Sequence, residues 1–174
     1  MDIGYVLFSP RGRIGPRDFL RGLILLTGAS IIVQVAATFV SPAFSMIQPF
    51  LVWAYVCVFG KRLHDSGLTA WLVLVIWLVS LVVGSLIISL LMPVLAPKAY
   101  ETLTQIQGIA LSGDFEGMRQ ALETHGPEVE RQSALSKLIS LLVTAALLGL
   151  IGAKLKTDPN PNAHGPSTGP GNLF

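Results

Sequence analysis

Two long stretches without a charged side chain constrain this sequence more than any other feature. Residues 22–60 and 68–97 contain no Asp, Glu, Lys or Arg. In hydrocarbon, every backbone N–H and C=O group must be satisfied within its own segment, so runs of this kind are expected to be helical. The short segment between them, KRLHDSG, carries four ionisable side chains: Lys61, Arg62, His64 and Asp65. The pattern predicts membrane-spanning helices with a short polar turn between two of them.

The lengths of the apolar runs predict four membrane spans. The hydrocarbon core of a bilayer is about 30 Å thick, so one helical span needs about 20 residues. The first run has about 39 residues and would be ~58 Å long as a single helix, so it must contain two spans. Pro42 is the predicted break, because proline disfavours helix in the residue before it. The predicted spans cover residues 19–40, 44–59, 68–95 and 138–153.

The composition argues against several classes of protein. Only 13% of the residues are charged, whereas a soluble domain has about 25%. The 12 Lys and Arg residues barely exceed the 10 Asp and Glu residues, and they are not interleaved with aromatic side chains as nucleic-acid binding would require. The single cysteine, Cys57, excludes an intrachain disulfide and a cysteine-based zinc site. We therefore expect no nucleic-acid partner, no metal and no cofactor.

The distribution of Lys and Arg predicts the orientation in the membrane. These residues concentrate in the cytoplasmic loops of membrane proteins, and with four spans a basic group falls on one side: Arg11, Arg13, Arg17, Arg21, Lys61, Arg62, Lys154 and Lys156. Both termini are therefore predicted to be cytoplasmic. The predicted regions are a cytoplasmic segment 1–18, a three-span region 19–95, an extracytoplasmic loop 96–137, a fourth span 138–153 and a cytoplasmic Pro- and Gly-rich tail 154–174.

The predicted loop 96–137 has the amphipathic period of helices, with apolar residues at steps of three and four. Asp114 is placed to cap a second loop helix, and the sequence His125-Gly126-Pro127 is predicted to end it. Two short helices that lie on the outer leaflet or cap the bundle explain this pattern. A ligand-binding or partner-binding domain is the alternative, but no cluster of His, Asp or aromatic residues favours it.

Two interpretations fit the RLHDSG sequence. His64 followed by Asp65 suggests an oriented general base, but neighbouring residues on a helix point about 100° apart and form no dyad by sequence alone. A tight turn with snorkelling basic side chains is the favoured interpretation. Farther along, Ala145, Gly149 and Ala153 form a small-xxx-small face, which lets two membrane helices approach closely. No Asp, Glu, Lys, Arg or His lies at mid-membrane depth, which argues against a transporter.

Three polar segments in order resemble a known family. A GRIGxxxF motif (Gly12, Arg13, Phe19) precedes the first span, RLHDxG (Arg62 to Gly67) follows the second, and a DPxPNxxGP segment (Asp158 to Pro166) follows the last. The chain resembles the Domain of Unknown Function 805 family of bacterial inner-membrane proteins. The resemblance implies a small helical bundle in the bacterial inner membrane and no established activity.

All three polar segments lie on the same predicted side of the membrane, so we expect them to fold against each other. The expected candidate cluster consists of Arg13, Arg17, Arg62, His64, Asp65, Asp158 and Asn162. The leading hypothesis is a non-enzymatic membrane module in which this cluster binds a partner protein, a second copy of the chain or an anionic lipid. The alternative is an enzyme that acts on a lipid headgroup with His64 and Asp65. Membrane lipids are expected partners in either case.

Overall fold

A computed structural model describes residues 2–168 of the chain, and this part is helical with no β-strand. The elements are α1 (Ile3–Phe8), α2 (Pro16–Phe39), a 3-10 helix (Pro42–Ile47), α3 (Gln48–Asp65), α4 (Leu72–Leu95), α5 (Pro97–Leu111) and α6 (Phe115–Lys154). The all-α fold class predicted from the apolar runs is therefore confirmed.

Four of these helical segments are long and apolar enough to cross a membrane. They are α2, the 3-10 helix continued by α3, α4, and α6. Large apolar side chains of α4, such as Leu78, Leu81 and Leu90, are exposed on its surface. Exposed apolar surface on this scale is unfavourable in water and matches a hydrocarbon environment. The chain is a multi-pass membrane protein with four candidate spans.

The ends of the first two spanning helices follow from local sequence. Pro16 opens α2 at its first position, where its fixed φ suits a helix and its missing N–H costs nothing. Asp18 lies in the first turn, where a carboxylate interacts favourably with the helix dipole. The helix ends at Phe39, and Ser41 caps the following 3-10 helix by accepting a hydrogen bond from the Ala43 N–H at 3.3 Å. The predicted break at Pro42 is confirmed.

Two predicted boundaries are wrong. The residues Lys61 to Asp65 are not a turn but the last helical residues of α3. Their charged side chains bind other parts of the protein, so these residues can stay in the helix without exposing their charges to water. The turn begins only at Ser66 and uses Gly67, whose φ of 71° favours glycine.

The second wrong boundary is the predicted helix end at His125-Gly126-Pro127. Helix α6 runs through Pro127 without interruption from Phe115 to Lys154. Proline removes one backbone hydrogen bond, and α5 packs against α6 and supports it. Val129 of α6 contributes to this contact by packing on a small core of Met92, Ala96 and Ala99. At 40 residues, α6 is ~60 Å long, about twice the hydrocarbon thickness.

The main core lies at the end of the bundle where α2 begins and α3 ends. Val6 of α1, Phe19 of α2 and Val58 of α3 are almost fully buried there. The rings of Phe19 and Phe59 meet edge to face, with centroids 5.2 Å apart. Because α6 also ends here, this core brings four helix termini together and fixes the polar groups attached to them.

Candidate functional site

Four segments meet at this end of the bundle: α1, the linker of residues 9–15, the last turn of α3, and the tail, defined here as residues 155–168 after α6. Gly12 in the linker has a φ of 97°, and a side chain there would overlap the Tyr5 hydroxyl. Tyr5 donates that hydroxyl to the Arg13 carbonyl at 3.3 Å. The linker can therefore fold back over α1 and direct Arg13 into the protein.

Asp65 is the centre of the site and has 0% of its surface exposed. One carboxylate oxygen accepts hydrogen bonds from Arg13 Nε at 3.2 Å and Thr168 Oγ1 at 2.6 Å. The other accepts from Thr157 Oγ1 at 2.9 Å and from Arg62 Nη1. An ionised carboxylate has about four lone-pair sites, so these donors occupy all of them. The carboxylate thereby joins the linker, α3 and two positions of the tail.

Arg13 extends the same network into the tail. Its Nη1 donates to the carbonyls of Asn160 at 2.8 Å and Gly165 at 3.5 Å. Its Nη2 donates to the carbonyls of Asp158 at 2.6 Å and Asp65 at 3.2 Å. A guanidinium has five N–H donors, and with the bond to the Asp65 carboxylate all five are used. The charge is buried, and no donor of Arg13 is left for a ligand.

Arg62 holds the end of α6. Its Nε donates to the Gly152 carbonyl at 2.8 Å, and its Nη2 donates to the Leu155 carbonyl. The last carbonyls of a helix have no partner within the helix and carry the negative end of its dipole. Arg62 satisfies two of them in this region, so it fixes α6 to α3 as well as neutralising Asp65.

Lys61 holds α1 in a similar way and is fully buried. Its ammonium group donates to the carbonyls of Val6 at 2.9 Å, Ser9 at 2.6 Å and Tyr5. The nitrogen also lies 4.8 Å from the centroid of the Tyr5 ring, within the range of a cation–π interaction. All three ammonium donors are used. The sequence prediction treated Lys61 only as a topogenic charge and missed this contact.

His64 and Asn162 hold the tail against α3 and the linker. His64 Nδ1 lies 3.2 Å from the Gly12 carbonyl, which can only accept, so this nitrogen carries the proton. The His64 ring stacks on His164 at a centroid distance of 3.7 Å. Asn162 donates its side-chain amide to the His64 carbonyl at 3.1 Å. Among the described residues, no hydrogen bond joins the side chains of His64 and Asp65.

The structure brings together six of the seven residues in the candidate cluster. Asp158 takes part through its backbone, with its N–H donating to the Asp65 carbonyl at 2.8 Å. Its side chain accepts from the Asn160 N–H at 3.0 Å, an interaction that shapes the tail. Arg17 is the exception: it lies on α2, is exposed, and forms no ion pair within residues 2–168. Arg17 is close to Arg13 in sequence, but its exposed side chain does not join the cluster.

The small-residue face on α6 lies against α2 at Gly149. A Cβ on buried Gly149 would lie 3.0 Å from Leu23 Cδ2, so the two helices are in close contact there. Ala145 lines the space between α2 and α6, and Ala153 is half-buried one turn beyond Gly149. The tightest position in the contact between α6 and α2 is Gly152, which the sequence prediction missed: a side chain there would overlap the Phe19 ring.

The observed arrangement is a closed network rather than an open pocket. We call Arg13, Lys61, Arg62 and Asp65 the buried cluster; the side chains of all four are bound as described above. No group of three or more metal-binding side chains occurs in the described residues. The arrangement can hold together the four segments that meet here, and it leaves few polar groups free to contact a substrate.

Comparisons of the chain with family models, with curated proteins and with solved structures found no match. The resemblance to the Domain of Unknown Function 805 family therefore stays a prediction from the three polar motifs.

Proposed function

We propose that the chain is a non-enzymatic membrane module that holds an ordered tail at one membrane surface for recognition by a partner protein. The observation that carries this proposal is the binding of two tail hydroxyls, from Thr157 and Thr168, to the fully buried Asp65 carboxylate. A tail rich in Pro, Gly and Asn would otherwise be expected to be disordered. Its anchoring by ionised groups gives it a fixed shape that a partner can bind.

The tail has an outward surface suitable for this role. Asn162 and Gly165 exchange two backbone hydrogen bonds of 3.1 and 3.0 Å, which closes a small turn. The side chains of Pro161, Ala163 and Pro166 are exposed on it. Apolar residues on a rigid turn can contribute to binding at a low cost in conformational entropy. The charge distribution of the loops supports a cytoplasmic location of this surface, and the resemblance of the three polar motifs supports the inner membrane of a bacterium.

The geometry favours this proposal over an enzyme that uses His64 and Asp65. A general base needs a free lone pair within reach of the substrate proton, and all lone-pair sites of Asp65 are occupied. His64 is 8% exposed and is covered by His164. The same reasoning disfavours direct binding of an anionic lipid by the buried cluster, because the donors of Arg13 and Lys61 are used internally.

The proposal is tested by site-specific photo-crosslinking in bacterial cells. A photo-reactive amino acid at Ala163 should give a discrete adduct with one protein, either a different chain or a second copy. The same probe at exposed Gln120, at the other end of the bundle, is the control. Asp65→Asn should release the tail and abolish the Ala163 adduct. Absence of any protein adduct at Ala163, or an adduct that survives Asp65→Asn, would contradict the proposal.

A further inference from the structure

A second feature lies away from the buried cluster, on the membrane-facing surface between α2 and α6. It is an open groove with a volume of about 570 Å³, lined by apolar side chains. Leu20, Ile24 and Gly28 form one wall, and Ala145, Ala146 and Leu150 form the other. Residues four apart lie on one side of a helix, so each wall is a continuous row along its helix. The small residues in both rows keep the groove open.

Beyond the groove, on the side where the buried cluster lies, the start of α2 and the end of α6 carry positive charge. Arg17 and Arg21 form the row next to Leu20 and Ile24 on α2, and both are exposed. Lys154, four residues beyond Leu150 on α6, is exposed as well. Asp18 is the nearby acid and lies 3.6 Å from Arg21 in an exposed ion pair, so the three cations outnumber it.

We infer that this groove binds an anionic phospholipid, with one acyl chain between α2 and α6 and the phosphate at Arg17, Arg21 and Lys154. Guanidinium groups match the geometry of phosphate oxygens, and basic residues at the membrane surface attract anionic lipids. The apolar walls provide the chain contacts, and the exposed cations have free donors that the buried cluster lacks. This inference goes beyond the proposed function, because the tail surface and the groove share no residue.

A second copy of the chain is the competing occupant, since small-residue faces also accept helices. Copies in one membrane have the same orientation. Two copies joined symmetrically through this groove would therefore bring their Arg17 and Arg21 side chains to the same level of the same interface. Like charges placed together oppose such a contact. A phospholipid anion supplies the opposite charge at that level, so the observations favour the lipid.

The test measures binding of phosphatidylglycerol to the purified full chain in detergent, with phosphatidylcholine as the matched neutral lipid. Phosphatidylglycerol should bind more tightly. The double variant Arg17→Gln/Arg21→Gln should weaken phosphatidylglycerol binding about thirtyfold and should weaken phosphatidylcholine binding much less, because the choline cation offsets the charge of its phosphate. Arg131→Gln, which alters an exposed arginine in the other half of α6, is the charge control and should have no effect.

A second variant tests the groove itself. Gly28→Leu should fill it, and nothing lies within 4 Å of a Cβ built at Gly28, so the fold should tolerate the change. Binding of both lipids should fall, while Gly108→Leu, at an equally open glycine of α5, should not affect it. Equal affinity for both lipids, an unchanged preference in the arginine variant, or a dimer that Gly28→Leu dissociates would overturn the inference. None of these results would affect crosslinking at Ala163, so the proposed function is tested separately.

Discussion

At the scale of single residues, the imbalance of charge in the buried cluster explains its construction. Arg13, Lys61 and Arg62 bring three positive charges, and Asp65 supplies one negative charge. A buried charge is costly unless it is paired or hydrogen-bonded. The remaining compensation comes from carbonyl groups at the ends of α1 and α6 and in the tail. Loss of the Asp65 charge is therefore expected to destabilise the buried cluster more than loss of any other charge in it.

Asp65→Asn is expected to destabilise the folded protein by about 3–5 kcal/mol, the typical effect of leaving a buried partner uncompensated. The measurement is thermal or denaturant unfolding in detergent. Asp18→Asn is the matched control, because its ion pair with Arg21 is exposed and should be worth about 0.2–1 kcal/mol. Equal stability of the two variants would show that the Asp65 network is not structural.

Lys61→Met is expected to release α1 from the bundle. The change keeps an unbranched side chain, one atom shorter, but leaves three carbonyls without their donor, and a buried unsatisfied group costs about 1–3 kcal/mol. In a Cys57→Ser background, a cysteine replacing Val6, which is 1% exposed, should react faster with a maleimide in the Lys61→Met protein. Lys98→Met, at an exposed position of α5, should leave the reaction rate unchanged. Equal rates in all three proteins would contradict the role of Lys61.

The sequence allowed the cluster to be predicted in outline but not its individual contacts. Arg62, Asp65 and Asn162 could be brought together because their motifs fall on one predicted side of the membrane. Lys61 was missed because a lysine that binds helix carbonyls and a lysine that orients a span have the same sequence signal. Arg17 lies on the exposed surface of α2, apart from the other six residues, and the sequence does not show which way its side chain points. Thr157 and Thr168 gave no signal at all.

At the scale of helices, α6 meets its neighbours through backbone more than through large side chains. Gly149 and Gly152 contact α2 side chains, and Ser140 donates its hydroxyl to the Gly84 carbonyl of α4 at 3.0 Å. Close approach of this kind increases van der Waals contact, which is a main source of helix association in lipid. The position of α6 is therefore sensitive to any added side-chain volume.

Alanine substitutions at three glycines of α6 should rank in a defined order. Gly152→Ala should destabilise by about 1–3 kcal/mol, because its Cβ would overlap the buried Phe19 ring and overpacking has this cost. Gly149→Ala should cost less, since the mobile end of Leu23 can move away from a contact of 3.0 Å. Gly126→Ala meets nothing within 4 Å and should stabilise by about 0.5–1 kcal/mol. Unfolding in detergent checks this, and any other order would contradict the packing.

The helices themselves were predictable because hydrophobic length and proline position carry that information. The break at Pro42 followed from both. Pro127 was misleading, because a proline inside a helix is tolerated when a neighbour such as α5 supports the helix on either side of it. Helix α1 has only six residues, too few to be stable alone. Its stability depends on contacts with Lys61 and with the main core around Phe19, and local sequence does not reveal these contacts.

At the scale of the whole molecule, the four spans place the tail and the turn before α6 at opposite ends. We expect a cysteine at Ala163 and a cysteine at Gln120, each in a Cys57→Ser background, to be labelled from opposite sides of the membrane. An impermeant maleimide added to intact cells should modify Gln120→Cys only, and Ala163→Cys should react after the membrane is opened. Labelling of both from one side would contradict the four-span arrangement.

The connections made by Asp65 also impose an order in time. Arg62 is three residues away, but Thr157 and Thr168 are separated from Asp65 by 92 and 103 positions. A ribosome adds about 5–20 residues per second, so α3 waits several seconds before its partners exist. During that interval, the charges of the buried cluster must stay hydrated at the membrane surface. A polypeptide halted before residue 157 would keep these charges exposed, a difference by which a cell could distinguish unfinished chains from finished ones.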